Sequence, residues 1–280
     1  TFDRFAWFWR TPALLWQSAF FLAPLVLVFA MSFWVVKSYR LTPDFVLKNW
    51  DRMLTRDYFW TAYLYSSQVA LLVAILASVI AFPAAYYLAF KASPAVRRWG
   101  IFLLVTPFFT SYLVRIYSWK IILSNEGVIN VMLGWLGLGP FEMLNNLTGA
   151  VIGYLTLCLP LTIIIQVFAL SNVDRSLIGA AQNLGCSAMR TTFKVTIPAA
   201  RIGLILAATF AFILTFGDYV SPSYLGGGSP PTMSILIVDQ TKSGNNWPRA
   251  SVVAVTMVLT LITVLFAALF AAYGRPGKSK

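Results

Sequence analysis

GAAQNLGCSAMRTTFKVTIPAARIG, Gly179 to Gly203, is a basic and moderately polar stretch set between two long apolar segments. From Leu177 to Leu184 the residues Leu177, Ala180, Ala181 and Leu184 fall at i, i+3, i+4 and i+7, one face of a short helix, with Arg175, Gln182 and Asn183 off that face. Gly185 interrupts the pattern, Met189 and Phe193 follow one turn apart, and Pro198 ends the local register. The spacing predicts two short helices meeting at a glycine, a loop built to meet a partner.

The surroundings of this loop are apolar. Of 280 residues, 59% are hydrophobic and only 11% charged, with a mean hydropathy of +0.76, whereas a soluble domain carries roughly a quarter charged residues. The composition is that of an integral membrane protein. The chain has no His, which removes the usual metal ligand and the usual general base near neutral pH. Cys158 lies in an apolar segment and Cys186 in the polar loop, so neither a disulfide framework nor a metal-ligand spacing is present.

Six apolar segments are long enough to cross roughly 30 Å of hydrocarbon at about 1.5 Å per residue: Ala13 to Val36, Ser66 to Phe90, Gly100 to Leu123, Leu147 to Ser171, Ile202 to about Leu225, and Ala250 to Tyr273. The first is too long for the h-region of a cleavable signal peptide, and is expected to stay as an anchor. Pro83, Pro107 and Pro160 read as kinks within these helices. Trp7, Trp9 and Arg10 in the lead suit the headgroup level of a lipid bilayer. Lys37 to Ala62 reads as an extramembrane loop with a surface helix, KASPAVRRW as a tight turn, and Gly226 to Arg249 as a Gly- and Pro-rich loop.

A formal charge of +12 raises nucleic acid as a partner, but in a membrane protein basic residues report which loops stay in the cytoplasm. With the N-terminus inside, the inner segments hold about 12 Lys or Arg against 2 acids, and the outer loops about 7 against 6. Both termini and the loop from residue 172 to 201 are therefore expected in the cytoplasm, and the charge needs no nucleic acid.

The pattern Ala180, Ala181, Gly185, Val195, Ile197, Pro198 resembles the EAA signature of permease subunits of binding-protein-dependent ABC importers. PFFTSYLVRIYSW with the following EGVIN, FGDYVSP with LGGG, and NWPRA resemble the spermidine/putrescine-type branch. The resemblance implies an all-α membrane protein with six transmembrane helices in the type I ABC importer fold, forming one permease domain over residues 1 to 280. It also implies a second, related permease subunit, two ATPase subunits, a periplasmic binding protein, location in the bacterial inner membrane, and transport of a small cationic solute by alternating access. In that family the loop seats on the ATPase, which assigns coupling to Leu177, Gly179, Ala180, Ala181, Leu184, Gly185, Met189 and Pro198. The small Ala180 and Ala181 suit close approach, Leu177 and Leu184 apolar contact, and Gly185 the angle between the helices. Gly179 stands where the family has Glu, so the usual acidic contact is missing. GGGS at Gly226 to Ser229 lacks the phosphate-cradling G-x-x-x-x-G-K-[S/T] pattern. No cofactor is expected on this chain, and ATP and Mg are expected on the partner ATPase.

Ionisable groups at membrane depth usually face a cavity or a partner, since burying one costs on the order of 3 kcal/mol. Arg115 is expected two-thirds to three-quarters of the way across, facing the path, pairing with an acid such as Glu126, or snorkelling to the headgroups with Lys120. Asp218 follows Gly217 and precedes Pro222, where the fifth helix loosens. Its carboxylate suits a cationic cargo, although it also reads as an interfacial acid at a helix end. Tyr117, Trp119 and Tyr219 offer aromatic faces for an ammonium group, or packing. A self-sufficient secondary transporter or channel is the competing reading, and it would need coupling-ion acids within the crossings, where only Asp218 is visible.

Overall fold

In lipid every backbone polar group must be bonded within the protein, and the long apolar runs fold accordingly as helices. The computed structural model describes residues 2–37 and 40–274, without the side chains of residues 2–6. The stretch from Gly274 to Lys280, which reads as a basic tail, lies outside the described residues from position 275 on. Among the described residues, four helices are long and apolar enough to cross a membrane: α1 (Trp7–Met31), α3 (Asp57–Lys91), α7 (Leu147–Ser171) and α13 (Trp247–Tyr273). Two further candidates are bent pairs, so the number reaches 6 only if each pair counts as one span. One joins α4 (Pro94–Phe109) to α5 (Tyr112–Ile122) at 96°, and the other joins α9 (Ala188–Ala199) to α10 (Arg201–Gly217) at 77°. Shorter helices are α2 (Lys48–Leu54), α6 (Val128–Trp135), α8 (Arg175–Asn183), α11 (Val220–Tyr224) and α12 (Met233–Lys242).

The chain divides into two compact units, Thr1–Thr61 with Leu236–Thr260, and Ala62–Ile235 with Leu261–Lys280. In the first, α1 stops at Met31, short of the expected Val36. The Asn49 amide donates to the carbonyls of Ser32 and Trp34 at 3.0 and 2.8 Å, and Trp50 Nε1 donates to Ser32 Oγ at 3.1 Å. With those carbonyls met from α2, the β-branched Val35 and Val36 pass into a hairpin, β1 (Val35–Lys37) antiparallel to β2 (Arg40–Thr42), with Val35 opposite Thr42. This hairpin was not expected from the sequence.

The second unit packs through small residues. Ala70, Ala74, Ala77, Ala81 and Ala85 of α3 recur at three- and four-residue steps and are all buried, while Leu71, Leu72, Ile75, Val79 and Ile80 point outward. A soluble helix buries its large residues. A helix in lipid gains nothing from that and instead brings backbones together over Ala and Gly. The Gln166 amide on α7 donates to the Ser78 carbonyl on α3 at 3.1 Å. At one end, Leu88, Val167, Leu170, Val173 and Ala200 close an apolar core around Ala85 and Ala89.

Several boundaries move. The helix expected from Ser66 begins at Asp57, whose carboxylate suits a first turn, and it runs through Pro83 without interruption, widening to a π turn only at Tyr87–Lys91. The third crossing is not the continuous kinked helix expected over Gly100 to Leu123. Pro107 sits in a 3-10 turn, Thr106–Phe109, and Thr110 and Ser111 are extended, so the chain turns sharply. The loop expected over Gly226 to Arg249 contains α12, and α13 starts at Trp247, where the Asn246 side chain accepts the Arg249 amide at 3.2 Å. The fourth crossing falls where it was expected, Leu147–Ser171, with Pro160 inside it.

Candidate functional site

The loop between α7 and α10 folds as the two short helices its spacing predicts. Asp174 caps α8, its Oδ1 accepting the Ser176 amide at 2.8 Å. That backbone donor holds the Asp174 carboxyl below the usual carboxylate range. Gly185 ends α8 with φ +81°, a left-handed conformation open to glycine and strained for other residues. The Cys186 amide donates to the Ala181 carbonyl at 3.0 Å and the Gly185 amide to that of Gln182 at 2.9 Å, the paired bonds of a Schellman cap. Ser187 then caps α9, accepting the Arg190 amide at 3.4 Å. Both caps were readable as Asp and Ser just ahead of a helical run, and were missed.

Of the face expected to meet a partner, Ala181 is buried within the chain itself. Leu184 is 85% exposed, Met189 73%, Phe193 62% and Leu177 50%, and this set of open apolar side chains, spread over α8 and α9, is the apolar ridge of a polar loop. Ala180 is also exposed. A side chain built at Gly179 would meet nothing within 4 Å, so no steric demand keeps a glycine there. Pro198 is exposed beside the bend between α9 and α10.

The second set of candidates gathers where the helices break. Asp218 ends α10 with extended backbone, is buried, and has both carboxylate oxygens occupied. Oδ1 accepts the Val220 amide at 2.9 Å. Oδ2 accepts the Ser221 amide at 3.2 Å and the Tyr112 hydroxyl at 2.6 Å. Tyr112 is the first residue of α5, just past the break at Pro107, so the break between α4 and α5 is tied to the turn that ends α10. The Tyr112 oxygen also lies 2.5 Å from Ser221 Oγ. Gly153 on α7 lets this turn approach, since a Cβ there would fall 2.7 Å from Ser221 Oγ.

Arg115 lies one turn after Tyr112, its guanidinium 5.6 Å from the Tyr112 ring centroid, and Nη1 donates to the Thr156 carbonyl at 3.4 Å. It is not ion-paired with Glu126 among the described residues. Its expected depth assumed a continuous third helix, which the 96° bend replaces. Tyr117 packs against Tyr224 with centroids 5.1 Å apart, a second contact between α5 and α11. Arg115, Tyr117 and Asp218 are thus brought together through Tyr112 and Tyr224. Tyr219 flanks the Asp218 turn, and Trp119 is half-buried one turn beyond Arg115. Tyr112 was missed because an aromatic ring inside an apolar run reads as packing.

Broken helices knotted through a polar cluster, together with an apolar ridge raised on a basic loop, define a multi-pass helical membrane protein. A family model described as "Binding-protein-dependent transport system inner membrane component" matches residues 75–275, and the chain belongs to that family. It is 29% identical over 219 residues to the spermidine/putrescine transport system permease protein PotB of Escherichia coli, covering 78% of this chain and 79% of that one. Against the protein of the same name from Haemophilus influenzae it is 29% identical over 276 residues, covering 94% and 91%. Its fold is shared with a chain of a bacterial alginate ABC transporter solved in complex with an alginate pentasaccharide-bound periplasmic protein. The TM-score there is 0.76 at 15% identity, over 95% of this chain and 93% of that one.

Proposed function

We propose that this chain is the permease subunit of an ATP-driven ABC importer that carries a small cationic solute, such as a polyamine, from a periplasmic binding protein into the cytoplasm. Membership of the family supports the permease role, and the names of the relatives support the cargo class. In this reading α4 with α5 forms one crossing and α10, entered from the cytoplasmic α9, forms another, giving six with the four long helices; both termini are cytoplasmic, and the chain works beside a second, related permease and two ATPases that hold ATP and Mg. The observation that carries it is the ridge of Leu177, Leu184, Met189 and Phe193, which is large, apolar and open to water on a loop that the charge distribution assigns to the cytoplasm. The ridge is the seat of the ATPase.

The path runs past the break between α4 and α5 and the turn that ends α10, where unwound backbone and the side chains of Arg115, Tyr117, Trp119, Asp218 and Tyr219 stand together. With the Asp218 carboxylate engaged by three donors, recognition of an ammonium group falls to the aromatic faces, and Asp218 serves by fixing the break. The test is uptake of labelled spermidine into vesicles containing the chain with its co-expressed subunits. ATP-dependent uptake is expected, together with co-purification of an ATPase in mild detergent. Uptake unchanged by ATP depletion would overturn the reading.

A further inference from the structure

A cavity of about 600 Å³ opens where α3 ends and α4 begins, beside the start of α8. Its polar wall is Arg97, Arg98 and Arg175, its apolar wall includes Phe90 and Ile101, and among the described residues no carboxylate lines it. Two of the arginines are held in place. Arg97 Nη2 donates to Ser171 Oγ at 2.7 Å, and Arg175 Nη2 to the Ala89 carbonyl at 3.5 Å. Each such bond uses one of five N–H donors on the guanidinium, which leaves a fork for an anion. Pro94 also lines the cavity, at the positive end of α4, a helix whose first turn is capped by Ser93.

The two walls differ in kind, and that selects the ligand. A free anion or an acidic peptide would satisfy the arginines and leave Phe90 and Ile101 unused. The apolar residues belong to the ends of membrane-spanning runs, and Trp99, exposed beside them, is the residue type that marks the headgroup level. We propose that this cavity binds the phosphate of an anionic membrane phospholipid, with the acyl chain against Phe90 and Ile101. Arg175 opens α8, so the lipid also contacts the first turn of the ridge-bearing loop. The inner-leaflet placement rests on the importer topology proposed above, whereas the binding itself does not.

Native mass spectrometry of the full-length chain, with whatever subunits co-purify, tests this using phosphatidylglycerol and phosphatidylcholine as probes. The wild type should retain one phosphatidylglycerol tightly, with phosphatidylcholine retained only as nonspecific adducts. Each arginine facing an anionic headgroup contributes roughly a fivefold factor, so Arg98→Gln with Arg175→Gln should weaken retention by about 30-fold. Arg97→Lys should keep most of the binding. Lys120→Gln, outside the cavity, should change nothing, and a variant that melts with the wild type in neutral lipid is correctly folded. Equal retention of both lipids, or no effect of the double substitution, overturns the proposal. So does displacement by millimolar inorganic phosphate, which would mark a free-anion site. Loss of ATPase co-purification with unchanged lipid retention would assign the arginines to a protein contact instead. None of these readouts requires transport, so the proposal fails or stands separately from the importer reading.

Discussion

The Tyr112 hydroxyl has one proton and two close oxygen neighbours, Asp218 Oδ2 and Ser221 Oγ. The proton goes to the carboxylate, and the serine must then donate to the tyrosine oxygen. Tyr112→Phe removes the middle of that chain and leaves Oδ2 with only the longer bond from the Ser221 amide, the loss of one hydrogen bond to a charged group at about 1–3 kcal/mol, read as a lower melting temperature in detergent. Asp218→Asn should cost a similar amount, because its amide meets the Ser221 or Val220 N–H head-on. The double variant should lose less than the sum of the two, and strict additivity would show that hydroxyl and carboxylate act separately. Since the carboxylate is already engaged, Asp218→Asn should lower uptake of a cation and of a neutral analogue together. A selective loss of the cation would instead establish direct contact with cargo. Asp218 was legible in the sequence, because an acid between Gly217 and Pro222 in an apolar segment stands out. Its partner was not, since Tyr112 is 106 residues away and one tyrosine among many carries no mark of a bond.

Among the elements, the paired helices α8 and α9 separate residues packed within the chain from residues open to the proposed partner. Leu184 is open to water, so Leu184→Asp should leave the melting temperature unchanged and cut ATPase co-purification by at least about tenfold, the scale of an interface hot spot. Ala181 is buried, and a large or charged residue there should instead lower the yield of folded protein. The Asp174 cap adds a pH dependence. Its carboxyl titrates lower in the folded chain than in the unfolded one, so the cap is fully present above the ordinary carboxylate range. It fades only as pH falls through the folded-state value. Proteolysis of the loop should therefore accelerate at acid pH and not between pH 6 and 8. The helix pair was legible because periodicity and one glycine define it. The break in the third crossing was not, because Pro107 reads the same in a bent helix as in a broken one. The difference lies in the extended Thr110 and Ser111, which no local rule requires. Helix α12 was hidden by the Gly- and Pro-rich residues that flank it.

For the molecule as a whole, two free cysteines provide a test of sidedness without any substitution. Cys158 is fully buried and Cys186 partly exposed on the loop. A membrane-impermeant maleimide should label inside-out vesicles at Cys186 and leave right-side-out spheroplasts unlabelled. Labelling of the spheroplasts would invert the topology and place the ridge outside. The class of the protein was legible from apolar length and charge, because a bilayer imposes both directly. The packing was less so. Alanine is a good helix former in any setting, and only the structure shows that Ala70 through Ala85 form the inner face of α3 while the leucines turn outward.

Helix α10 joins the two sets of candidate residues end to end. It has 17 residues, about 25 Å at 1.5 Å per residue, with the bend to the loop at its start and Asp218 at its finish. An α-helix resists compression along its axis, so the separation of its ends is fixed. In the proposed importer α10 therefore acts as a lever, and travel of the loop must arrive at the carboxylate. The Tyr112–Asp218 bond would then behave as a sensor of whether the ATPase is engaged.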